Sequence, residues 1–328
     1  MTRRSFQEID LTGIRTYSAS ERASKVQAGQ SAKPLRAGMS LRQLMDALPE
    51  VLKASELKGT AAAVVRASRS GRPVIAMLGG HVIKTGCGPV LADLAAAGLI
   101  THVAANGSVA IHDAELALFG RTSEDVAEQL GDGSFGMARE TAELVNGAAV
   151  KAAREGLGFG QALGEMLLEQ GPFSAKHSLL ARCSQLGLPC TLHVALGTDI
   201  VHQHPSADGA SIGEASLRDF RILAASVSRL GDSGMVLNFG SAVLMPEVFL
   251  KALAVARNLG HSVSGFSTAN FDMIQHYRPR VNVVSRPVEA GGRGYSITGH
   301  HEIMIPLLAA AVLDEAENDS AADGQTGR

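Results

Sequence analysis

Residues 73–89 have the sequence PVIAMLGGHVIKTGCGP, and this stretch decides the fold class. Its apolar run, Val74 to Leu78, lies between a proline and the pair Gly79-Gly80, which predicts a short buried strand. Pro89 suits the first turn of the helix that we expect to follow. A buried strand followed by a helix is the repeating unit of a parallel α/β sheet.

The same alternation of apolar runs and helical patterns continues along the chain. Further strands are predicted at 100–105, 191–196, 235–239, 262–266 and 280–284. Helices are predicted at 41–48, at 123–168 with breaks at glycine-rich turns, and at 216–230, 246–260 and 301–313. Strands alternating with helices of this length imply right-handed crossovers. We therefore predict an α/β fold, with helices on both faces of a parallel sheet and a helical insertion.

The pattern also divides the chain. Residues 1–38 are polar and lack periodicity, so we expect an N-terminal arm that lies over the protein or a neighbouring subunit, or is disordered. Residues 39–314 are predicted to form a single α/β domain, and residues 315–328 a disordered tail.

Composition excludes several classes of protein. The 328 residues carry 30 basic and 32 acidic side chains, and aromatic residues make up only 4%. A nucleic-acid-binding protein needs a basic face or aromatic stacking platforms, so we expect no nucleic-acid partner. The longest apolar run, Ile303 to Leu313, is shorter than the about 20 residues that a membrane span needs. No apolar stretch follows the N-terminal arginines, so a secretory signal is not expected.

The cysteines indicate the compartment. Cys87, Cys183 and Cys190 are odd in number and form no CxxC pair, which argues against a disulfide framework or a zinc ribbon. We therefore expect a cytoplasmic protein. Cys87 stands among glycines without a neighbouring base, so tight packing explains it better than a role as nucleophile.

Small and polar residues follow the predicted strands, where ligands bind in open parallel sheets. The first such turn fits neither GxGxxG nor a P-loop, and by itself suits an ordinary tight turn equally well. Five similar turns on one edge indicate a long ligand such as a dinucleotide, with Asp199 or Asp272 accepting ribose hydroxyls. The expected cofactor contacts are Gly79, Gly80, Thr85, Asn106, Gly107, Ser108, Thr198, Asp199, Gly240, Ser241, Thr268 and Asp272.

Histidines and arginines suggest the chemistry. His202, His204 and His301 lie in two groups beside acidic residues and are able to ligate a metal, although a loop and a helix cap explain them as well. Arg286 follows a predicted strand, so we expect its guanidinium to face the site. The pair Asp113 and Glu115 fits a solvated helix start better than an acid–base pair.

Several motifs in order resemble those of deoxyhypusine synthase and its relatives, over about residues 70–313. They are LPCTLHVALGTD ending at Asp199, the segment Val236 to Gly260, FSTANFD ending at Asp272, IMIPLL at Ile303 to Leu308, and Ala104 to Val109. The resemblance implies a Rossmann-like fold that binds NAD in a homotetramer. It places Gly107, Asp199, Gly240, Thr268 and Asp272 at NAD-contacting positions.

The chain departs from that family at the position of its reactive lysine. This position is matched by Arg286, the characteristic tryptophan is absent, and Met245-Pro246-Glu247 stands near the expected histidine pair. Arginine stays protonated and cannot form the imine intermediate. True deoxyhypusine synthase activity is therefore not expected.

The leading hypothesis is an NAD-dependent enzyme that oxidises a small polar, anionic substrate at an alcohol or amine carbon. The base would be His202, His204 or His81. Arg286 and Lys84 would anchor the anionic group, and elimination or group transfer would follow with NAD regenerated. The alternatives are a metal-dependent lyase or hydrolase that uses the His202, His204 and His301 cluster, and a non-catalytic nucleotide-binding partner protein.

Overall fold

The sheet is all-parallel. The computed structural model describes residues 6–326, and their side chains as far as residue 317. In this part of the chain six strands form one sheet with parallel neighbours throughout. They are β1 (Val74–Leu78), β2 (His102–Asn106), β3 (Cys190–His193), β4 (Met235–Phe239), β5 (Ser267–Asp272) and β6 (Arg293–Thr298). Their spatial order is β3-β2-β1-β4-β5-β6. The predicted Rossmann-like α/β class is confirmed.

Helices cover both faces of the sheet. They are α1 (Leu41–Ala47), α2 (Leu52–Arg69), α3 (His81–Lys84), α4 (Gly88–Ala96), α5 (Gly107–Phe119), α6 (Val126–Asp132), α7 (Arg139–Glu155), α8 (Phe159–Glu169), α9 (Pro172–His177), α10 (Leu179–Gln185), α11 (Gly209–Val227), α12 (Leu244–Asn258), α13 (Tyr277–Pro279) and α14 (His301–Thr326). Helices α6 to α10 form the predicted helical insertion between β2 and β3. Within the described chain, no helix combines the length and the apolar composition needed to cross a bilayer.

Strand β1 lies at the centre of the core, and all five of its residues are fully buried. Val74, Ala76 and Leu78 pack into the larger cluster, to which α2, α4, α5 and α14 contribute. Ile75 and Met77 point to the opposite face and pack into a second cluster with α11 and α12. The period of two along a strand explains this division, so one continuous apolar run joins both layers.

The predicted strand at 262–266 is wrong, because β5 begins five residues later. The polar residues of FSTANFD, expected in a turn, lie inside a buried central strand. Their side chains find partners there: Asn238 Nδ2 donates to Asn270 Oδ1 (2.7 Å), and Thr268 Oγ1 donates to the Val283 carbonyl (2.7 Å). Polar strand residues are stable in a core when they are hydrogen-bonded in this way.

The predicted strand at 280–284 is also wrong. Residues Arg280–Ser285 form a π-helical segment, and the last strand is β6, which the sequence pattern did not predict. Only Tyr295 and Ile297 of β6 are buried, because this edge strand packs on one face. Its short alternation between glycines and polar residues resembles a turn in sequence.

The ends of the chain differ in structure. Residues 6–29 are exposed and contain no strand, while the backbones of Gln30 and Lys33 hydrogen-bond to Glu50 and Ala47 beside α1. At the other end, α14 continues through the boundary expected at residue 314 as far as Thr326. Residues 1–5 and 327–328, predicted as parts of the arm and tail, lie outside the described residues.

Candidate active site

The carboxyl ends of all six strands lie on one edge of the sheet. The order of the strands reverses between β1 and β4, which are neighbours in the sheet although β2 and β3 lie between them in the chain. Gly79 and Gly80 follow β1, and Gly240 and Ser241 follow β4. The two glycine turns therefore face each other across the break in strand order, which is where ligands bind in open α/β sheets.

The glycines of these turns allow strand-end loops to approach closely. A Cβ on Gly79 would lie 2.3 Å from the carbonyl oxygen of Gly240, and one on Gly80 would lie 2.4 Å from Oγ of Ser108. Neither distance is possible for a real side chain. The missing side chains let the ends of β1, β2 and β4 meet, so these positions are fixed by packing between loops.

Gly107, the first residue of α5, is in contact with Asp199. A Cβ on Gly107 would lie 1.9 Å from Oδ2 of Asp199. The carboxylate therefore reaches the N-terminus of α5, where Asn106 caps the helix by accepting from the Val109 amide (3.2 Å). Burial raises the pKa of Asp199, and nearby His202 partly opposes that shift. A carboxylate at this place favours hydroxyl or amine groups of a ligand over a phosphate.

His301 begins α14 beside the Gly240 turn. Gly240 has φ +66°, and a Cβ there would lie 2.4 Å from Nε2 of His301. The imidazole is 4% exposed, and its buried Nδ1 has no hydrogen-bond partner in the described chain. Burial lowers the pKa of His301, against the opposing charge of Asp272. The exposed His81 is close, with ring centroids 6.0 Å apart.

Other predicted cofactor contacts use their polar atoms within the protein. Ser241 Oγ accepts from the Met245 amide (3.1 Å) at the start of α12. Thr85 Oγ1 donates to carbonyls of its own helix, α3, and Ser108 Oγ donates to Asn106 Oδ1 (2.9 Å). These residues lie at the edge as expected, and any contact with a cofactor stays a prediction.

A pocket of about 190 Å³ opens beside this edge. At about 30 Å³ per water molecule, it has room for a small metabolite and none for a dinucleotide. Four predicted residues line it: Lys84, Ser108, Thr198 and Asp199. The remaining walls combine polar and apolar residues, namely Ile111, His112, Glu115, Ser123, Glu124, Val126, Phe135 and Ile200.

One wall of the pocket holds a hydrogen-bonded chain that the sequence did not predict. His112 Nδ1 lies 2.7 Å from Thr122 Oγ1, and Thr122 Oγ1 donates to Glu115 Oε2 (2.5 Å). Thr141 Oγ1 donates to the other carboxylate oxygen of Glu115 (3.3 Å). Burial raises the pKa of Glu115, but hydrogen bonds from His112 and Thr122 outweigh it and the net shift is downward. The sequence did contain one signal for this chain, the i,i+3 spacing of His112 and Glu115, which places the two side chains next to each other on α5.

The prediction that Asp113 is a solvated helix start is wrong. Asp113 is fully buried in α5, where it accepts from Ser178 Oγ (2.5 Å) and from the backbone amides of Leu179 and Leu180. Burial raises its pKa to about 6. It holds the start of α10 and is not one of the residues that line the pocket. Cys87 is 2% exposed and burial raises the pKa of its thiol, consistent with the packing role.

The histidines proposed as a metal cluster do not converge. His202 Nδ1 accepts from the Gly197 and Asp199 amides (3.2 and 3.3 Å), so this ring holds the turn before Asp199. His204 Nδ1 is bonded to Ser206 (2.8 Å), and His301 lies on α14. Among the described residues, no three His, Cys, Asp or Glu side chains are grouped to hold a metal ion. The alternative prediction that His202, His204 and His301 form a metal site is therefore wrong.

Two further predicted positions are wrong. Arg286 does not follow a strand: it lies in the short 3₁₀ turn Arg286–Val288, where its guanidinium donates to Asn282 Oδ1 (3.0 Å). Pro287 accepts from Arg257 in the last turn of α12, whereas Asn282, which holds the Arg286 guanidinium, donates to Glu247 Oε1 in the first turn of α12 (2.9 Å). Thr268 lies within β5, fully buried, with its hydroxyl bonded to Val283. The expected place of Arg286 directly after a strand is therefore wrong, and its equivalence with a site lysine stays a prediction.

A wider cleft of about 680 Å³ lies among α4, α9 and α10, and its lining includes Gly88 and Pro89 at the start of α4. It contains Asp93, Lys176, His177 and Arg182, and none of the residues predicted to form the site. The smaller pocket is the one that the strand-end residues share, so the candidate active site lies there.

No protein-family model and no curated protein matches the chain. Solved structures do match. A conserved protein from Methanococcus maripaludis S2, provisionally assigned as LOR/SDH, is 16% identical with a TM-score of 0.52, over 81% of this chain and 71% of that protein. AgrE, solved in a ternary complex with ornithine and NAD⁺, is 14% identical with a TM-score of 0.51, over 80% of this chain and 33% of AgrE. The chain thus spans about a third of AgrE.

A structure from Entamoeba histolytica, provisionally assigned as deoxyhypusine synthase, is 10% identical with a TM-score of 0.46, over 84% of this chain and 94% of that chain. This similarity is too low to assign a family, so the resemblance to deoxyhypusine synthase stays a prediction. Likeness to the other two structures shows the fold that the chain shares with them.

Proposed function

We propose that the chain is an NAD-dependent enzyme that oxidises a small polar substrate at an alcohol or amine carbon. One observation carries the proposal: the sheet reverses its strand order between β1 and β4, with glycine turns at both carboxyl ends. Dinucleotides bind across this point in doubly wound α/β folds. That AgrE, which has the same fold, was solved with NAD⁺ supports the choice of cofactor.

The residues at the edge fit such a cofactor in two ways. The Asp199 carboxylate, at the N-terminus of α5, suits ribose hydroxyls. The buried Nδ1 of His301 lacks a partner beside the Gly240 turn, and an unpaired buried polar atom is costly unless a ligand pairs with it. When bound, the nicotinamide ring supplies a hydride acceptor.

The substrate is proposed to occupy the 190 Å³ pocket. Lys84 is the cation on its wall and would hold an anionic group. Glu124 also lines the pocket and would accept from a polar group of the substrate that does not react. Ile111, Phe135 and the other apolar walls exclude water, which strengthens these interactions. The proposed substrate is therefore a small hydroxy or amino acid.

The product of oxidation is proposed to undergo elimination or group transfer within the same pocket, with the hydride then returned. A cytoplasmic homo-oligomer, such as a tetramer, is part of the same proposal. Such an enzyme would not make deoxyhypusine, since the position matched to the family's reactive lysine holds Arg286, which stays protonated and cannot form an imine.

The test combines binding with turnover. Protein denatured after purification is examined by mass spectrometry for released nucleotide, and NAD⁺ is added to the apoprotein in a thermal-shift assay. NADH formation and consumption of the acid are then both followed with a panel of small 2-hydroxy and 2-amino acids that includes ornithine, because a returned hydride leaves no net NADH. We expect stabilisation by NAD⁺ and turnover of at least one acid. Binding without any turnover would favour the non-catalytic nucleotide-binding protein, and no binding would contradict the proposal.

A further inference from the structure

His112 lies between the glycine turns after β1 and β4, where NAD is proposed to bind, and the pocket proposed for the substrate. It lines the pocket, and its Cδ2, which is bonded to Nε2, lies 3.2 Å from where a Cβ on Gly80 would be. The side chain is 16% exposed. In the described chain Nε2 has no hydrogen-bond partner and is not among the buried unpaired atoms, so it is open to the pocket.

The hydrogen bonds on the other side of the ring fix its tautomer. Glu115 is ionised at neutral pH and can only accept, so the single hydroxyl proton of Thr122 is committed to it. The oxygen of Thr122 must then accept from His112, which places the ring proton on Nδ1. In the neutral imidazole this leaves the lone pair on Nε2, facing the pocket.

From this geometry we infer that His112 is the proton acceptor of the active site, held in position by Thr122 and Glu115. The inference rests on the proposed function and deepens it. The substrate O–H or N–H bond breaks, its proton passes to Nε2, and its electron pair becomes the second bond to carbon. The C–H bond at that carbon breaks, and its pair leaves as hydride to the oxidised nicotinamide. The Glu115 carboxylate stabilises the imidazolium through Thr122.

The charges around the ring agree with this role. Glu115 is on the same helix, with Oε2 3.9 Å from Nδ1 of His112. Lys84 on α3, Asp199 from the loop after β3 and Glu124 from the loop before α6 also line the pocket. A carboxylate close to an imidazolium stabilises its positive charge, so Glu115 suits the charged ring that forms during the reaction.

Two matched variants test whether the hydrogen-bonded chain from Glu115 through Thr122 to His112 sets the tautomer of the imidazole or only stabilises the fold. Thr122→Val and Thr141→Val each remove one hydroxyl that donates to Glu115, but only Thr122→Val cuts the link to His112. Two-bond ¹H–¹⁵N spectra of the histidine rings report which nitrogen carries the proton, with His112 assigned by its loss in His112→Gln. We expect an Nδ1 proton in wild type and Thr141→Val, and a shift of the proton to Nε2 in Thr122→Val.

The inference is overturned if wild-type His112 carries its proton on Nε2, or if the two threonine variants give the same tautomer. Kinetics on any acid of the panel that reacts give a second readout. His112→Gln should lower kcat about 100-fold or more with unchanged NAD⁺ affinity, and Thr141→Val should stay close to wild type. Undiminished kcat in His112→Gln with intact NAD⁺ binding would overturn the role of His112 alone, whereas loss of NAD⁺ binding in wild type would overturn the proposed function.

Discussion

At the scale of single residues, Gly240 shows how one missing side chain shapes the site. Its backbone is left-handed, with φ +66°, and the space of its Cβ is taken by Nε2 of His301. Both conditions exclude other residues, since a left-handed conformation alone costs an L residue about 1–2 kcal/mol. The turn after β4 is thereby fixed against the first residue of α14.

Gly240→Ala should therefore lower the free energy of unfolding by about 1–3 kcal/mol in a urea titration. Gly131→Ala is the control, because a Cβ at this helical position of α6 meets nothing within 4 Å. That control should be neutral or slightly stabilising, since alanine favours helix. Equal stability of Gly240→Ala and wild type would show that the turn is not under this constraint.

Asp219 on α11 is a buried carboxyl outside the site. Its Oδ2 accepts from the Gly160 and Leu192 amides (2.9 and 2.6 Å), and burial raises its pKa to about 7. The folded chain then holds this proton more tightly than the unfolded chain, whose pKa is about 3.9. The contribution of Asp219 to stability is full at low pH and is lost as pH rises through about 4 to 7.

Relative to Asp219→Asn, wild type should lose about 1–4 kcal/mol of unfolding free energy between pH 5 and pH 8. Urea titrations at the two pH values measure the difference. Asp208→Asn is the control: hydrogen bonds from Ser211 lower the pKa of this exposed carboxyl, so its contribution changes only below that window. If the unfolding free energy of wild type relative to Asp219→Asn stays constant or rises between the two pH values, the pKa of Asp219 is not raised by folding.

Residue positions at the strand ends were predictable, and their partners were not. Asp199, Gly107 and Gly240 follow short apolar runs, which is a local pattern. The relay of His112 was missed because Thr122 lies ten residues on, beyond the end of α5. When folding brings together residues from different turns of the chain, their contact leaves no periodic pattern in a single sequence.

At the scale of elements, a row of buried amides joins the second half of the sheet. Asn238 of β4 donates to Asn270 of β5, whose own Nδ2 donates to Gln275 Oε1 (2.7 Å each). Ser296 of β6 donates to the same Gln275 oxygen (2.7 Å). Three strands and the loop after β5 are thus tied together directly behind the carboxyl edge.

Asn270→Leu, which keeps the number of side-chain heavy atoms, should lower the unfolding free energy by about 2–3 kcal/mol, since it removes the hydrogen bonds of Asn270 to Asn238 and to Gln275. Ser296→Ala removes one hydroxyl at the end of the row and should cost only about 1 kcal/mol. Chemical denaturation of both variants gives the comparison. Similar losses in the two would mean that the amide row is not a unit.

The buried amides of this row also explain why some strands were predicted from the sequence and others were not. Strands β1 and β4 are continuous apolar runs between breakers, and both were predicted at their observed bounds. Strand β5 carries Thr268 and Asn270, whose partners lie on other elements, so its polarity was taken for a turn. The helical path of Arg280–Ser285 and the half-buried β6 depend on packing that local pattern does not contain.

At the scale of the whole molecule, the N-terminal arm stands apart from the core, because its residues 6–29 are exposed. Phe6, Ile9 and Tyr17 are 87%, 84% and 72% exposed, which is unusual for large apolar side chains on one short segment. Among the described residues, the backbone hydrogen bonds that join the arm to the domain come from Gln30 and Lys33, beside α1. We predict that these side chains pack against a second copy of the chain.

Deletion of residues 1–29 should leave the unfolding temperature within a few degrees of the full chain, because the side chains of residues 6–29 are exposed. It should also reduce the particle mass measured by size-exclusion chromatography with light scattering. Replacing Phe6, Ile9 and Tyr17 with serine should reproduce the loss without shortening the chain. An unchanged mass in both variants would remove the arm from any self-association.

The predicted cofactor contacts and Arg286 lie on different segments of the domain. Gly80, Asp199 and His301 gather at the carboxyl edge, while the Arg286 guanidinium is held by Asn282 on the segment between β5 and β6. Calorimetric titration of NAD⁺ into wild type, Asp199→Ala and Arg286→Ala tests directly which of these two places holds a dinucleotide. We predict one NAD⁺ per chain in wild type, unchanged affinity in Arg286→Ala, and affinity about tenfold or more weaker in Asp199→Ala, which loses a charged acceptor. Absence of NAD⁺ binding by wild type, or full affinity in Asp199→Ala with loss in Arg286→Ala, would contradict the proposed site.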